Sequence, residues 1–321
     1  MKPRLSDIAR NLSVSSATVS LALSGKGKGR ISTETMDRIE AEAARIGYAP
    51  NQMGKALRTG RSQVIGLVLP DFANPLFPRM ARAIITAAEA KGYGVLVADS
   101  LSDTTTQERA VQQLVNLGAD GLVVIPRKGS KIAKSSIPIV VIDAATSPLN
   151  VVSADHAGGG EIAVTHLREH GHTDILYLGD TQSSLVQRTR IKGMMRAGGP
   201  GGRTLWMEDA PDIAAAVRDG VTAIATTSDR IALQVMLDLA AAGLRVPQDV
   251  SITGFDNLDF GEIVSPSLTT VATSDTIIGT GAIDALDAQI NGADPITEHT
   301  VPMHLISRET VARLTSGGET T

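Results

Sequence analysis

The sequence predicts an α/β protein in which a small helical head precedes a larger body of parallel sheets. Three observations predict it. The stretch LSDIARNLSVSSATVSLAL, Leu5 to Leu23, carries apolar residues at two helical periods interrupted by one short turn. From Val64 onward, seven short apolar runs alternate with amphipathic stretches, the mark of buried strands joined by helical crossovers. Charge divides the chain in the same way. Residues 1–61 hold eleven basic side chains against five acidic ones, a net +6, so the remainder carries −10 of a total of −4.

In the head, Leu5, Ile8, Ala9 and Leu12 form one apolar face, Val14 sits in the break, and Val19, Ala22 and Leu23 form a second. This is the pattern of a helix-turn-helix. Ser6 is a candidate cap for the first helix, with Asp7 in its first turn, and Ser15 is a candidate cap for the second. At about 100° per residue, Ser16, Ala17, Ser20 and Leu21 project from the other side of the second helix. That side would meet base edges in a major groove, with Ser15 and Thr18 on phosphates. By itself the pattern fits a two-helix corner in an ordinary core equally well. The basic surroundings decide for a polyanion partner of the head alone, because phosphate attraction acts within roughly one Debye length, ~8 Å. The loop SGKGKGR adds Lys26, Lys28 and Arg30, and Ser32 then caps a third helix across Met36, Ile39, Ala43 and Ile46 that ends at Gly47.

YAPNQMGKALRTGRSQ reads as a hinge. Pro50 breaks the preceding helix, and Asn51 starts another of two turns to Arg58. Isolated helices need roughly 12–15 residues to persist in water, and Gly54 weakens this one by a further ~1 kcal/mol relative to Ala. It should form only when held. With Lys55 and Arg58 gripping flanking phosphates, Leu57 suits an apolar wedge in a minor groove; a flexible linker is the competing reading.

In the body, VIGLVLP, GVLVADS, GLVVIP, IPIVVID, ILYLGD, AIATTSD and VSITGFD read as buried strands, continuous rather than alternating in polarity. Ligands of such folds bind beyond the carboxyl ends of the strands. Here those ends carry Asp71, Asp99, Asp143, Asp180, Asp229 and Asp256, some of which would serve only as helix caps.

Composition narrows the function classes. Aromatics make up 2% of the chain, so the core is built from Val, Ile, Leu, Ala and Met, and the absence of cysteine removes disulfides, thiolate metal sites and thiol nucleophiles. No apolar run approaches the roughly 18 residues of a membrane span, and MKPRLSDIAR lacks the apolar segment of a signal peptide. A cytosolic protein is expected. His166 and His170 stand at i and i+4 near His172, but no Glu takes the arrangement of a zinc hydrolase, and no metal is assigned. No serine sits in a nucleophile elbow and no carboxylate pair stands out for acid–base work, so neither enzyme nor cofactor is expected.

The order of features resembles the lactose/galactose repressor family over essentially the whole chain. The resemblance rests on DIARNLSVSSATVSLALSGKGKGRISTET, GYAPNQMGKALRTGRS, IGLVLPDFANPLF, VVIDAATS, HLREHGHTDILYLGD, RTRIKG, RVPQDVSITGFDN and SPSLTTV. It implies a DNA-binding head over 1–49, a hinge over 50–61, an effector-binding and dimerisation body over 62–314, and a tail over 315–321. The body would be like a periplasmic sugar-binding protein. Two parallel α/β subdomains, about 62–153 with 272–302 and 154–271 with 303–314, would join through crossings near Val152 to Asp155, Thr270 to Ala272 and Met303 to Ile306.

The resemblance further implies a homodimer on a pseudo-palindromic operator and a small, sugar-like effector in the cleft. On the DNA side it points to Leu5, Ser15, Ser16, Ala17, Thr18, Ser20, Leu21, Lys26, Lys28, Arg30, Asn51, Lys55, Leu57 and Arg58. On the effector side it points to Asn74, Leu76, Phe77, Asp143, Asp155, Arg188, Arg190, Ser228, Asp229 and Asp256. Ser13 stands where the family usually has Gly, and Leu21 where a polar residue is commoner, so readout would lean on thymine methyls and DNA shape. Gly54 replaces a common Ala, and RAGGPGGRTLWMEDAPDIAAAVRDG is shorter than usual. Trp206, in an apparent strand, is expected in the core rather than on a ligand, and DHAGGGE reads as close packing at a crossing. No leucine heptad follows Leu314, which argues against a tetramer. A regulator controlled by a protein partner through a vestigial cleft, or a small-molecule binding protein, are the competing functions.

Overall fold

The computed structural model describes residues 3–24, 27–48, 60–126, 132, 135–143, 150–199, 202–294 and 299–314. They form two compact units divided between Ser62 and Gln63. Lys26, Asn51, Lys55, Leu57 and Arg58, and with them the expected hinge helix, lie outside the described residues.

The first unit contains α1 (Leu5–Leu12), α2 (Ser16–Leu23) and α3 (Thr33–Arg45). Ile8, Val19 and Ile39, one from each helix, have no exposed surface and meet with Ala9, Ala22 and Ala43 in one small core. The expected cap of α1 is corrected. Ser6 lies inside the first turn, and the carboxylate of Asp7 instead accepts the Arg4 N–H at 2.8 Å. Asp7 wins because, three residues past the cap position, it can reach back to an orphan donor while adding negative charge at the helix N-terminus. Ser15 and Ser32 cap α2 and α3, accepting from Thr18 N at 3.0 Å and Thr35 N at 3.2 Å. Ser13 closes α1 in the left-handed region at φ 55°.

The second unit contains two six-stranded sheets. The first has the order β11-β5-β4-β3-β1-β2 and is parallel throughout. Its strands are β1 (Val64–Leu69), β2 (Gly94–Asp99), β3 (Gly121–Val124), β4 (Ile139–Ile142), β5 (Asn150–Ala154) and β11 (His299–Val301). Helices α4 (Leu76–Ala90) and α5 (Thr104–Asn116) make the crossovers around β2. The second sheet has the order β12-β10-β9-β8-β6-β7. It comprises β6 (Ile175–Gly179), β7 (Arg203–Trp206), β8 (Ala223–Thr226), β9 (Ser251–Phe255), β10 (Thr269–Thr273) and β12 (Met303–Ile306), the last antiparallel to β10. Its helices are α6 (His156–Glu169), α7 (Leu185–Gly198), α8 (Ile213–Arg218), α9 (Asp229–Ala241) and the short α10 (Phe260–Ile263).

Three passages join the halves. β5 of the first sheet leads into α6 on the second, β10 of the second leads into α11 (Asp275–Ile290) on the first, and β11 runs on into β12. α11 packs on α4 and on β3 to β5. The glycines of DHAGGGE bring α6 against α7 at backbone distance. A Cβ on Gly160 would stand 2.2 Å from the Arg190 carbonyl oxygen, and one on Gly193 1.9 Å from that of Ala157.

One expected strand departs from burial. β2 is an edge strand, and Leu96 and Val97 keep 38% and 39% of their surface exposed, because no further strand covers that side of the sheet. Trp206 packs over Gly179, where a Cβ would meet its ring at 2.3 Å, and joins the core. No helix among the described residues is long and apolar enough to cross a membrane.

Candidate functional site

The head presents its second helix. Val19 and Ala22 face the core, while Ser15, Ser16, Ala17 and Ser20 are exposed and Thr18 and Leu21 half-buried. Leu5 packs against the head core, so only part of its side chain is presented outward. The Thr18 hydroxyl lies 2.8 Å from that of Ser15, and this pair fixes the first turn of α2. Lys28 and Arg30 are exposed in the loop beyond. One contact was not legible in the sequence. Glu42 of α3 accepts from Asn11 of α1 at 2.6 Å and binds Arg45 at 2.6 Å. The hydrogen bonds from Arg45 and then Asn11 hold the Glu42 carboxyl well below the usual range, at about 2.

In the body, an open cleft lies beyond the carboxyl ends of the strands of both sheets. Asn74, Leu76, Phe77 and Asp143 line it from the first half, and Arg190, Ser228 and Asp256 from the second. The Asn74 side chain accepts the Leu76 N–H at 3.1 Å and so shapes the start of α4, while Ser228 caps α9 through Ile231 N.

At the centre runs a chain of four polar side chains. Arg190 is 6% exposed; its Nη1 lies 2.8 Å from Asp256 Oδ1 and donates to Thr227 O at 2.7 Å, and its guanidinium sits 3.9 Å above the Phe255 ring. Nε of the same residue donates to His156 Nδ1 at 3.3 Å, and His156 Nε2 faces Asp143 Oδ1 at 3.0 Å. Asp143, His156, Arg190 and Asp256 thus connect the two halves. Burial alone would raise the Asp143 carboxyl, but His156, the Ala154 N–H and Arg190 outweigh it and hold it below the usual carboxylate range. For Asp256 burial prevails over the pull of Arg190, and its carboxyl is raised.

Three expected residues stand away from this cleft. Asp229 is fully buried beneath it, accepting from the Thr270 hydroxyl at 2.5 Å and Leu258 N at 2.6 Å. Burial and the charge of Asp256 push its carboxyl up to about 7, against the bonds from Thr270, Leu258 and Phe255. Asp229 is therefore an internal support of the β9 turn. Arg188 is exposed and donates to Gln182 O in the loop before α7, about 200° around the helix from Arg190. Asp155 caps α6 by accepting Gly158 N at 2.9 Å, and opens onto a neighbouring cavity with Asp143, Ser153 and Thr300.

Other lining residues escaped sequence reasoning, namely Ile125, Pro126, Ser184, Leu185, Val186, Gln187, Thr227 and Arg230, whereas Asp180 also lines the cleft. Asp180 carried a signal as one of the six strand-end aspartates. Of the others, Asp71 and Asp99 bind loop N–H groups at Ala73 and Leu101, both at 2.8 Å. His172 is fully buried between Thr222 Oγ1 and Ala312 O, at 3.1 and 3.0 Å, while the His166 and His170 rings pack on each other at 4.3 Å. The cleft therefore offers carboxylates as acceptors and a rigid guanidinium as donor, beside the apolar Leu76 and Phe77. Such a set suits a small hydroxylated ligand.

Each of the two units has its own match among known proteins. Residues 4–51 match the bacterial regulatory proteins of the lacI family, and residues 164–311 match a periplasmic binding protein-like domain. The transcriptional regulator DegA of Bacillus subtilis is 31% identical over 85% of this chain and 87% of its own. The crystal structure of the Lac repressor dimer bound to operator and the anti-inducer ONPF superimposes with a TM-score of 0.84 at 25% identity, covering 97% of this chain and 99% of that one. A regulator from Alkaliphilus metalliredigens in complex with D-xylulofuranose gives a TM-score of 0.70 at 28% identity, over 78% of this chain and 99% of that one. With its helix-turn-helix head and its two-sheet body around a polar cleft, the chain belongs to the LacI family of DNA-binding bacterial transcriptional regulators.

Proposed function

We propose that the chain is a dimeric repressor that binds a pseudo-palindromic operator through residues 1–49 and a minor-groove hinge over 50–61, and takes a small sugar-like effector in the cleft of its body. It works in the cytosol by binding rather than by catalysis. Ser16, Ala17, Ser20 and Leu21 face bases, Ser15 and Thr18 face phosphates, and Lys26, Lys28, Arg30, Lys55 and Arg58 hold the flanking backbone. The observation that carries the effector reading is the Asp143–His156–Arg190–Asp256 chain, which joins both halves at the floor of one cleft. A ligand that engages it in one arrangement of the halves and not the other shifts the spacing of the two hinges across the dimer. Unequal affinity for the two states is what makes the switch, not tight binding.

Two measurements test this. Selection from random duplex DNA should enrich a palindrome. Leu57→Ala should weaken binding to it without changing the salt slope, whereas Arg58→Ala, which removes one phosphate contact from each protomer of the dimer, should reduce that slope by ~1.8. Thermal unfolding with D-ribose, D-xylulose, other pentoses and hexoses, and nucleobases should show stabilisation by a sugar, through mass action. An enriched operator with no stabilising small molecule would instead favour control by a protein partner.

A further inference from the structure

We propose that Arg79 is a positioning residue for the effector response, a strap that ties the first half of the body to the turn carrying Asp256. This deepens the effector-cleft reading and rests on it for its consequence. Arg79 lies in the first turn of α4, two residues beyond Phe77 of the cleft. Both terminal nitrogens of its guanidinium donate to the second half, and Nε is held by an ion pair rather than a hydrogen bond. Nη2 donates to the Asp256 carbonyl at 2.6 Å, Nη1 donates to the Asn257 carbonyl, and Nε stands 2.6 Å from Asp275 Oδ2 at the start of α11. The two carbonyls belong to the second half, after β9; Asp275 follows the β10 passage back to the first.

The turn so held is an unusual one. Asp256 and Asn257 both occupy positive φ, at 106° and 49°. Asn257 lies in the left-handed region that asparagine accepts readily, but φ 106° at Asp256 lies outside it and persists only where the surroundings over-determine it. Arg79 supplies such a surrounding, because charged donors on two consecutive carbonyls fix the orientation of both peptide units. Asp256 is therefore gripped from both halves, by its carbonyl through Arg79 and by its carboxylate through Arg190. The halves cannot separate at this edge without breaking both bonds from Arg79.

A strap of this kind populates the closed cleft before any ligand arrives. A binding-competent state that is already populated raises the apparent affinity for the effector. Lysine cannot replace it, because one ammonium cannot span two carbonyls and a carboxylate in fixed geometry.

The chain has no cysteine, so Glu108→Cys on α5 and Asp219→Cys just after α8, both exposed sites, accept a donor–acceptor dye pair selectively. Labelled protein diluted into excess unlabelled chain reports the distance between the halves within one protomer. Without effector or operator, the otherwise unaltered chain should show one dominant distance. Arg79→Gln should shift the ratio of populations toward a longer distance by about fivefold or more, and Arg79→Lys should fall between. An unchanged distribution in Arg79→Gln, with circular dichroism and melting intact, overturns the proposal. Should that variant not fold, Asp275→Asn removes only the negative charge paired with the guanidinium. The same lengthening is expected there, and its absence is equally decisive. No sugar enters these measurements, so a cleft that binds none leaves the result standing, whereas an unmoved distance defeats the strap alone.

Discussion

Arg190 and Asp229 show how differently two buried ionic side chains can serve one site. Arg190→Ala leaves Asp256 desolvated without its partner, a loss of ~3 kcal/mol or more, which for a body of this size lowers the melting temperature by roughly 6–12 °C. Adding Asp256→Asn to Arg190→Ala should recover most of that loss, since the stranded charge is gone. Neither variant should respond to a sugar in the thermal assay. Asp229 acts through pH. Its carboxyl is raised from 3.8 to about 7, so the unfolded chain releases its proton at lower pH than the native one. Its contribution to stability is thus fully present below pH 3.8 and lost as pH rises to about 7. Denaturant midpoints of the unaltered chain and Asp229→Asn should show the former's advantage shrinking across that interval. In the sequence Asp229, Asp256 and Asp143 look alike, each an aspartate after an apolar run. What separates them is the side of the turn each faces, which no neighbouring residue states.

At the scale of elements, the α6–α7 contact sets where Arg190 stands. Gly160 approaches the Arg190 carbonyl itself, so a methyl group there moves the very segment that lines the cleft. Gly160→Ala should cost ~1–3 kcal/mol through overpacking and also weaken the sugar-induced stabilisation. Gly281→Ala is the control. It lies within α11, and its new Cβ would meet nothing nearer than 3.5 Å, so the gain in helix propensity should make it neutral or stabilising. Thermal unfolding of the two variants side by side checks both signs. Most elements were legible, because periodicity and caps such as Ser15 and Ser32 are local. β2 was legible as a strand but not as an exposed one, since its apolar run is the same whether or not another surface covers it.

For the whole molecule, that exposed strand has a consequence. Phe72, Leu96, Val97 and Leu101 leave 46%, 38%, 39% and 71% of their surfaces open along one edge of the first sheet. An apolar edge of this kind is suited to cover by a second copy. Leu96→Asp should yield a monomer in analytical ultracentrifugation and lose operator affinity, while the sugar-induced thermal shift survives; an intact dimer would place the interface elsewhere. The sequence by itself determined the two-part plan, the basic head on an acidic body and the succession of strands and helices. Charge density and hydrophobic period are properties of residues adjacent in the chain, so they can be read from it directly. Only the tertiary structure decided which aspartates meet the cleft, that Asp229 supports it from beneath, and that Arg79 spans it. Those roles depend on groups 41 and 177 residues apart, and burial and hydrogen bonding between such groups arise only when folding brings them together.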